Sequence, residues 1–264
     1  MKLQMCWVVS SALLGMLDGC QADSGLWIRT SYTPPAPAVT AHVAAAPVAD
    51  GSEDMPIPAD RDMPTTSYSS HVSATLGAPV WAMVDARSDI YSSSRTQPEG
   101  SRGGVLPASV RLPAGAAVIT FAHVAGRVGC GTGDPMSGPD GGHCAGGDTH
   151  INRASGLSGI VDHRSTQFLV GVFLAGRPPR TPPEALDFGP DGLGHDFASL
   201  TPEVGQVFFI GDGLANGREQ TFVVPPHATT LYLGIADAYA FQGDPGFYSD
   251  NKGGFKLSLT VADR

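Results

Sequence analysis

The sequence predicts an all-β domain, a two-sheet β-sandwich of jelly-roll type, and three observations predict it. Glycine (34) and proline (22) are abundant in the 264 residues while charged residues make up only 16 %. Val, Ile, Leu and Phe fall in short runs separated by turn residues, the spacing of strands rather than helices. Along Gly254–Val261, Phe255, Leu257, Leu259 and Val261 alternate with Lys256, Ser258 and Thr260, the two-residue period of a half-buried strand. No segment carries a helical period beyond one turn, although a short helix near Ala198–Val204 is compatible with its composition.

Nine strands are predicted in order: Val80–Asp85, Ala108–Leu112, Ala117–Val124, Gly159–Asp162, Phe168–Leu174, Val207–Ile210, Glu219–Val224, Thr230–Ala236 and Phe255–Val261. Short strands joined by glycine-rich turns close into two packed sheets. Between them, Gly129–Gly159 holds ten glycines and few large apolar residues and is expected to be loop, of a length that is usually functional. A proline-rich stretch, Arg177–Asp196, reads as a surface insertion.

The chain ahead of Tyr68 has a different character. Lys2, an apolar stretch from Met5 to Leu17 and then Leu17-Asp18-Gly19-Cys20 resemble a bacterial lipoprotein signal over 1–20, which implies lipidation of Cys20 and an outer-membrane, surface or secreted location. The apolar stretch is shorter than the ~20 residues a spanning helix needs. From 21 to 66 the sequence is rich in Pro and Ala with almost no branched or aromatic apolar residues. It buries too little to offset its ordering entropy and is expected to be a disordered tether to the domain at 67–264.

Of four cysteines, Cys6 lies in the signal and Cys20 is the lipidation candidate, so Cys130 and Cys144 remain as a pair that an exported protein can keep oxidised. A zinc site from Cys130, His143, Cys144 and His150 is the alternative, but it lacks a CxxC spacing. The formal net charge of −9 and the absence of a basic stripe argue against nucleic acid, whose binding draws on clustered Lys and Arg. Contact with a membrane is expected only through the amino-terminal lipid.

The chemistry gathers near the carboxyl end. An apolar strand, Leu231-Tyr232-Leu233-Gly234-Ile235-Ala236, runs into Asp237, and Gly243-Asp244-Pro245-Gly246-Phe247-Tyr248-Ser249-Asp250-Asn251-Lys252-Gly253-Gly254 precedes the last strand. Carboxylates, amides and turn carbonyls therefore collect at one end of a hairpin. Calcium takes six to eight such oxygens at about 2.3–2.6 Å. Asp237 and Asp250 would supply two charges and Asn251 a neutral oxygen. Asp-Asn-Lys-Gly-Gly is equally the composition of an ordinary tight turn. A carboxylate at the end of the preceding apolar strand is what such a turn does not require.

The strand ending in Asp237, the turn Pro245-Gly246-Phe247-Tyr248, the pair Asp250-Asn251 and the run Gly253-Gly254-Phe255 resemble the PA-IL-like bacterial galactose-binding lectins. The likeness extends loosely over Ala78–Val261, touching Val118-Ile119-Thr120-Phe121, Gly138-Pro139-Asp140-Gly141 and Phe208-Phe209-Ile210-Gly211. The resemblance implies a galactose-binding-like jelly roll with one Ca2+ whose shell is completed by neighbouring sugar hydroxyls. It implies Asp237, Asp250 and Asn251 as side-chain ligands, Phe247 as a backbone ligand, and a further backbone ligand near Cys130. The sugar contacts would come from Asp237, Asn251, His143 and His150. Two departures stand out: the loop between Asp237 and Pro245 is longer than in the compact lectins, and Asp250 occupies the place of an amide.

The expected function is a calcium-dependent carbohydrate-binding module for a glycan with a galactose-like vicinal diol, with useful affinity from multivalency at a surface or in a homo-oligomer. The other reading retains calcium in a structural or adhesive β-sandwich lipoprotein without sugar binding. No G-x-S-x-G or HExxH occurs, so enzymatic activity is not expected.

Overall fold

The computed structural model describes residues 70–131 and 133–263. The signal segment with Cys20 and the Pro/Ala-rich stretch over 21–66 lie outside the described residues. Along the chain the strands are β1 (His71–Ser73), β2 (Pro79–Asp85), β3 (Ala108–Arg111), β4 (Val118–Gly129), β5 (Thr149–Ile151), β6 (Ile160–Asp162), β7 (Leu169–Leu174) and β8 (Leu186–Asp187). They continue with β9 (Ser199–Leu200), β10 (Val207–Phe209), β11 (Leu214–Ala215), β12 (Arg218–Glu219), β13 (Thr221–Val223), β14 (Thr230–Ile235), β15 (Gln242–Gly243) and β16 (Lys252–Ala262). Two five-stranded sheets, β1-β3-β14-β7-β10 and β2-β16-β4-β13-β9, make an all-β sandwich, beside a smaller sheet β15-β5-β6-β8 and the hairpin β11-β12.

The core sits between the two large sheets. Val110, Phe173, Leu231, Leu233 and Ile235 from one, and Val84, Ile119, Phe121, Phe255, Leu257, Leu259 and Val261 from the other, are buried. Phe208 of β10 meets Phe222 of β13 across the sandwich at 5.5 Å between ring centroids, and Phe222 meets Phe121 edge-on at 5.3 Å. Such rings each bury of the order of 150–250 Å² and dominate the packing. The alternation expected in β16 appears in part: Phe255, Leu257, Leu259 and Val261 are buried against β2 and β4 and Lys256 is exposed, but Ser258, expected on the open face, is buried as well.

β4 runs five residues beyond the predicted Val124, antiparallel to β16, with a bulge between Ser258 and Leu259. Its apolar run ends early because the second half, Ala125–Arg127, is exposed. Two glycines permit the long pairing. A Cβ on Gly126 (φ +121°) would stand 2.2 Å from the Gly254 carbonyl, and one on Gly253 (φ +88°) would stand 2.1 Å from that of Arg127; both distances and both backbone angles exclude other residues.

Four expectations need correction. The strand that runs into Asp237 and the last strand are not a hairpin: β14 pairs with β3 and β7 in one sheet and β16 with β2 and β4 in the other, so the chain between them crosses from sheet to sheet. The glycine-rich Gly129–Gly159 segment is not all loop: Thr149–Ile151 forms β5, antiparallel to β6 and parallel to β15. Three residues are too few to show a period. The Arg177–Asp196 stretch is more than a surface insertion, because Leu186–Asp187 pairs with β6 and Phe188 is fully buried against Phe197 and Phe209. The Ala198–Val204 region contains β9 rather than a helix, parallel to β13. Among the described residues no helix is long and apolar enough to cross a membrane.

Candidate functional site

The site is assembled where β14 leaves the sandwich and β16 enters it. β14 is pinned between β3 and β7, so the chain reaches Asp237 at a fixed place, and Asp237 is buried. The loop that follows is closed on itself: Ala238 bridges Pro245, and the Gly246 N–H donates to the Asp237 carbonyl at 2.9 Å. A single turn of 3₁₀ helix, Tyr248–Asp250, then leads to Asn251.

Asp237 and Asn251 meet directly. The Asn251 Nδ2 donates to Asp237 Oδ2 at 2.7 Å and to the Ala86 carbonyl at 3.1 Å, which uses both of its hydrogens and fixes the amide's orientation. Asn251 Oδ1 accepts from Gln167 Nε2 at 2.5 Å, and Asp237 Oδ1 accepts from the Ala238 N–H at 2.8 Å. Tyr248, fully buried, braces the same corner: its hydroxyl accepts from the Asp237 N–H at 3.2 Å and donates to the Ile235 carbonyl at 3.1 Å.

Burial pushes the Asp237 carboxyl up to about 7, and the negative charges of Asp250 and Asp89 push in the same direction against the hydrogen bonds from Asn251 and Ala238. A carboxyl removed from water resists ionising unless a positive charge joins it. Asp250 is exposed, yet near enough for its charge to be felt at Asp237. Phe247 adopts a left-handed backbone (φ +68°), with its ring exposed.

Other expected residues lie on the border of this corner. The register Lys252↔Gly129 leads β4 to Cys130 on the side of Asn251. Cys130 and Cys144 form a disulfide with Cα atoms 6.3 Å apart, which removes the thiolates that the zinc alternative needs. The turn Cys144–Gly146 packs against the turn Tyr239–Phe241 of the loop after Asp237, and His150 in β5 sits opposite Gln242 of β15. His143 and His150 are both exposed; the side chains of Asp237 and Asn251 bond elsewhere, as above.

Several residues of the corner carry no signal in the sequence. Gln167, buried with a left-handed backbone (φ +56°), has Oε1 without a partner. Asp89 is fully buried, accepting from the Tyr91 N–H at 2.9 Å, the Ser92 hydroxyl at 2.6 Å and Arg102 at 3.3 Å. Only the apolar pair Ile90-Tyr91 directly after the aspartate hints at it. Among the described residues no three His, Cys, Asp or Glu side chains converge as a metal site; what meets at this corner is the Asp237 carboxylate and the Asn251 and Gln167 amides. Comparison with family models, curated proteins and solved structures finds no match to this chain.

Proposed function

We propose that this protein is a calcium-dependent carbohydrate-binding module of an exported, surface-anchored bacterial protein, recognising a galactose-type vicinal diol. The observation that carries the reading is a buried aspartate at a strand end, Asp237, hydrogen-bonded to Asn251 and within the field of a second carboxylate, Asp250. Such a carboxyl either keeps its proton or ionises beside a cation. Asp237, Asp250 and Asn251 would hold Ca2+ by side chains and Phe247 by its carbonyl, with Cys130 at the position for a further backbone oxygen. The unpartnered Gln167 Oε1, on the amide that touches Asn251, fits the same account: a buried acceptor without a donor costs about 1–3 kcal/mol and is relieved by a positive charge. A bound calcium would supply a hard positive centre that takes sugar hydroxyls in place of water.

One observation favours the structural reading without sugar: Asp237 and Asn251 already spend their side-chain hydrogen bonds on each other, Ala86, Ala238 and Gln167. Two measurements separate the readings. Calcium will raise the melting temperature, chelator will reverse the rise, and Asp237→Ala or Asp250→Ala will abolish it; an unresponsive wild type rejects both. A glycan array with and without chelator then decides for sugar, through chelator-sensitive binding to galactose-terminated glycans, or against it, through none.

A further inference from the structure

The loop after Asp237 carries two costs with no structural return. Tyr239 is 70 % and Phe247 54 % exposed, and their rings lean together at 5.2 Å between centroids. The backbone that presents them is strained: Ala240 (φ +49°), Phe241 (φ +57°) and Phe247 (φ +68°) are left-handed without being glycine, at a cost of the order of 1 kcal/mol each. Strain and exposed aromatic surface at one spot persist only where neighbouring structure holds them.

That structure is present on both sides. Gln242 and Gly243 form a parallel pairing with His150 and Ile151 of β5, the Asn152 N–H donates to the Gly243 carbonyl at 2.7 Å, and Asn152 Nδ2 donates to Asp244 at 2.8 Å. Phe241 is buried under the turn, which rests on Cys144–Gly146 and so on the disulfide. The backbone between the two rings is therefore tied down on both sides, which lowers the ordering cost of binding.

Its position and size select the ligand. Tyr239 is two residues from Asp237, within ~7 Å along the chain, and Phe247 is itself a candidate carbonyl donor to the cation. Gln242, Asp244, Ser249 and Asp250, near the pair along the chain, are exposed and polar. The two rings expose roughly 250 Å², far below the ~800 Å² per partner of a stable protein interface. A small apolar face bordered by hydrogen-bonding groups matches one pyranose ring, whose C–H face is apolar and whose edge is hydroxylated.

We infer that Tyr239 and Phe247 form an aromatic subsite for a second sugar residue, linked to the one whose diol meets the cation. The subsite rests on the saccharide reading above and makes the ligand of this protein an oligosaccharide, read at two places: hydroxyls at the oxygen cluster and a ring face on the aromatic pair.

The test is calorimetric titration of the full chain in calcium with methyl β-galactoside and with galactose-terminated disaccharides. At least one disaccharide will bind about five- to tenfold more tightly than the monosaccharide. Tyr239→Ala will remove that gain and Tyr239→Phe will keep it. Saturation-transfer NMR will pass magnetisation from the aromatic protons to the C–H protons of the second sugar in the wild type and not in Tyr239→Ala. No gain for any disaccharide, or a gain that survives Tyr239→Ala, overturns the subsite while leaving the cation and its monosaccharide intact. Failure of the wild type to bind any saccharide rejects the saccharide reading and the subsite with it.

Discussion

In chelator, raising the pH from about 4 to about 8 will weaken the fold through Asp237. Its carboxyl keeps a proton up to about pH 7 in the folded state, whereas the free group ionises near 3.8, because burial and the charges of Asp250 and Asp89 oppose ionisation. Between those values the folded chain binds up to one more proton than the unfolded chain, so unfolding free energy falls as pH rises, by at most about 1.4 kcal/mol per unit. The gap of about three units corresponds to about 4 kcal/mol lost, complete above pH 7. Urea unfolding followed by fluorescence across this range, in chelator, measures it against Asp237→Asn. The asparagine sacrifices one acceptor, to Asn251 or to Ala238, at a cost that does not depend on pH, so only the slope is compared. Asp140, raised by burial, has the same sign and remains in the variant. Asp85, held down by its hydrogen bond from Arg87, has the opposite sign and also remains, on an exposed pair that solvent screens. Calcium will flatten or reverse the wild-type slope, because the ion takes the ionised carboxylate. Parallel wild-type and Asp237→Asn profiles would refute the reasoning, and a wild-type slope blind to calcium would refute the cation.

Two further outcomes test what braces the site. Arg102→Ala leaves the fully buried Asp89 without its guanidinium and will cost about 3–5 kcal/mol in urea unfolding; a loss under 1 kcal/mol would show that Ser92 and the Tyr91 N–H suffice. Replacing both Cys130 and Cys144 by serine opens a loop with a sequence separation of 14 and will lower stability by about 3 kcal/mol; an unchanged denaturation midpoint would remove the disulfide from the account of how the loop over 144–147 is held.

The legibility of the site varies residue by residue. Asp237, Asp250 and Asn251 are visible because two apolar runs bracket them, and the pairing of Cys130 with Cys144 because the other cysteines lie in the amino-terminal segment. Asn251 meets Gln167 and Ala86 across sequence separations of 84 and 165. No local period reports such meetings. The Tyr239–Phe247 pair was hidden for a different reason: aromatic residues ordinarily read as core, and the left-handed turns that expose these two occur at residues whose type does not announce them.

By itself the sequence determined the all-β class, the principal strands and the carboxyl-terminal segment in which carboxylates and amides cluster beside apolar runs, because alternation, glycine-rich turns and such clustering are local properties of the chain; that the strands flanking this segment belong to different sheets is not. Tertiary structure alone decided which carboxyl is kept from water, which amide faces it and which rings stay outside. Those outcomes depend on how two sheets and a third, smaller one bring distant segments together, and the free energy of a buried polar group is set by the neighbours it acquires there.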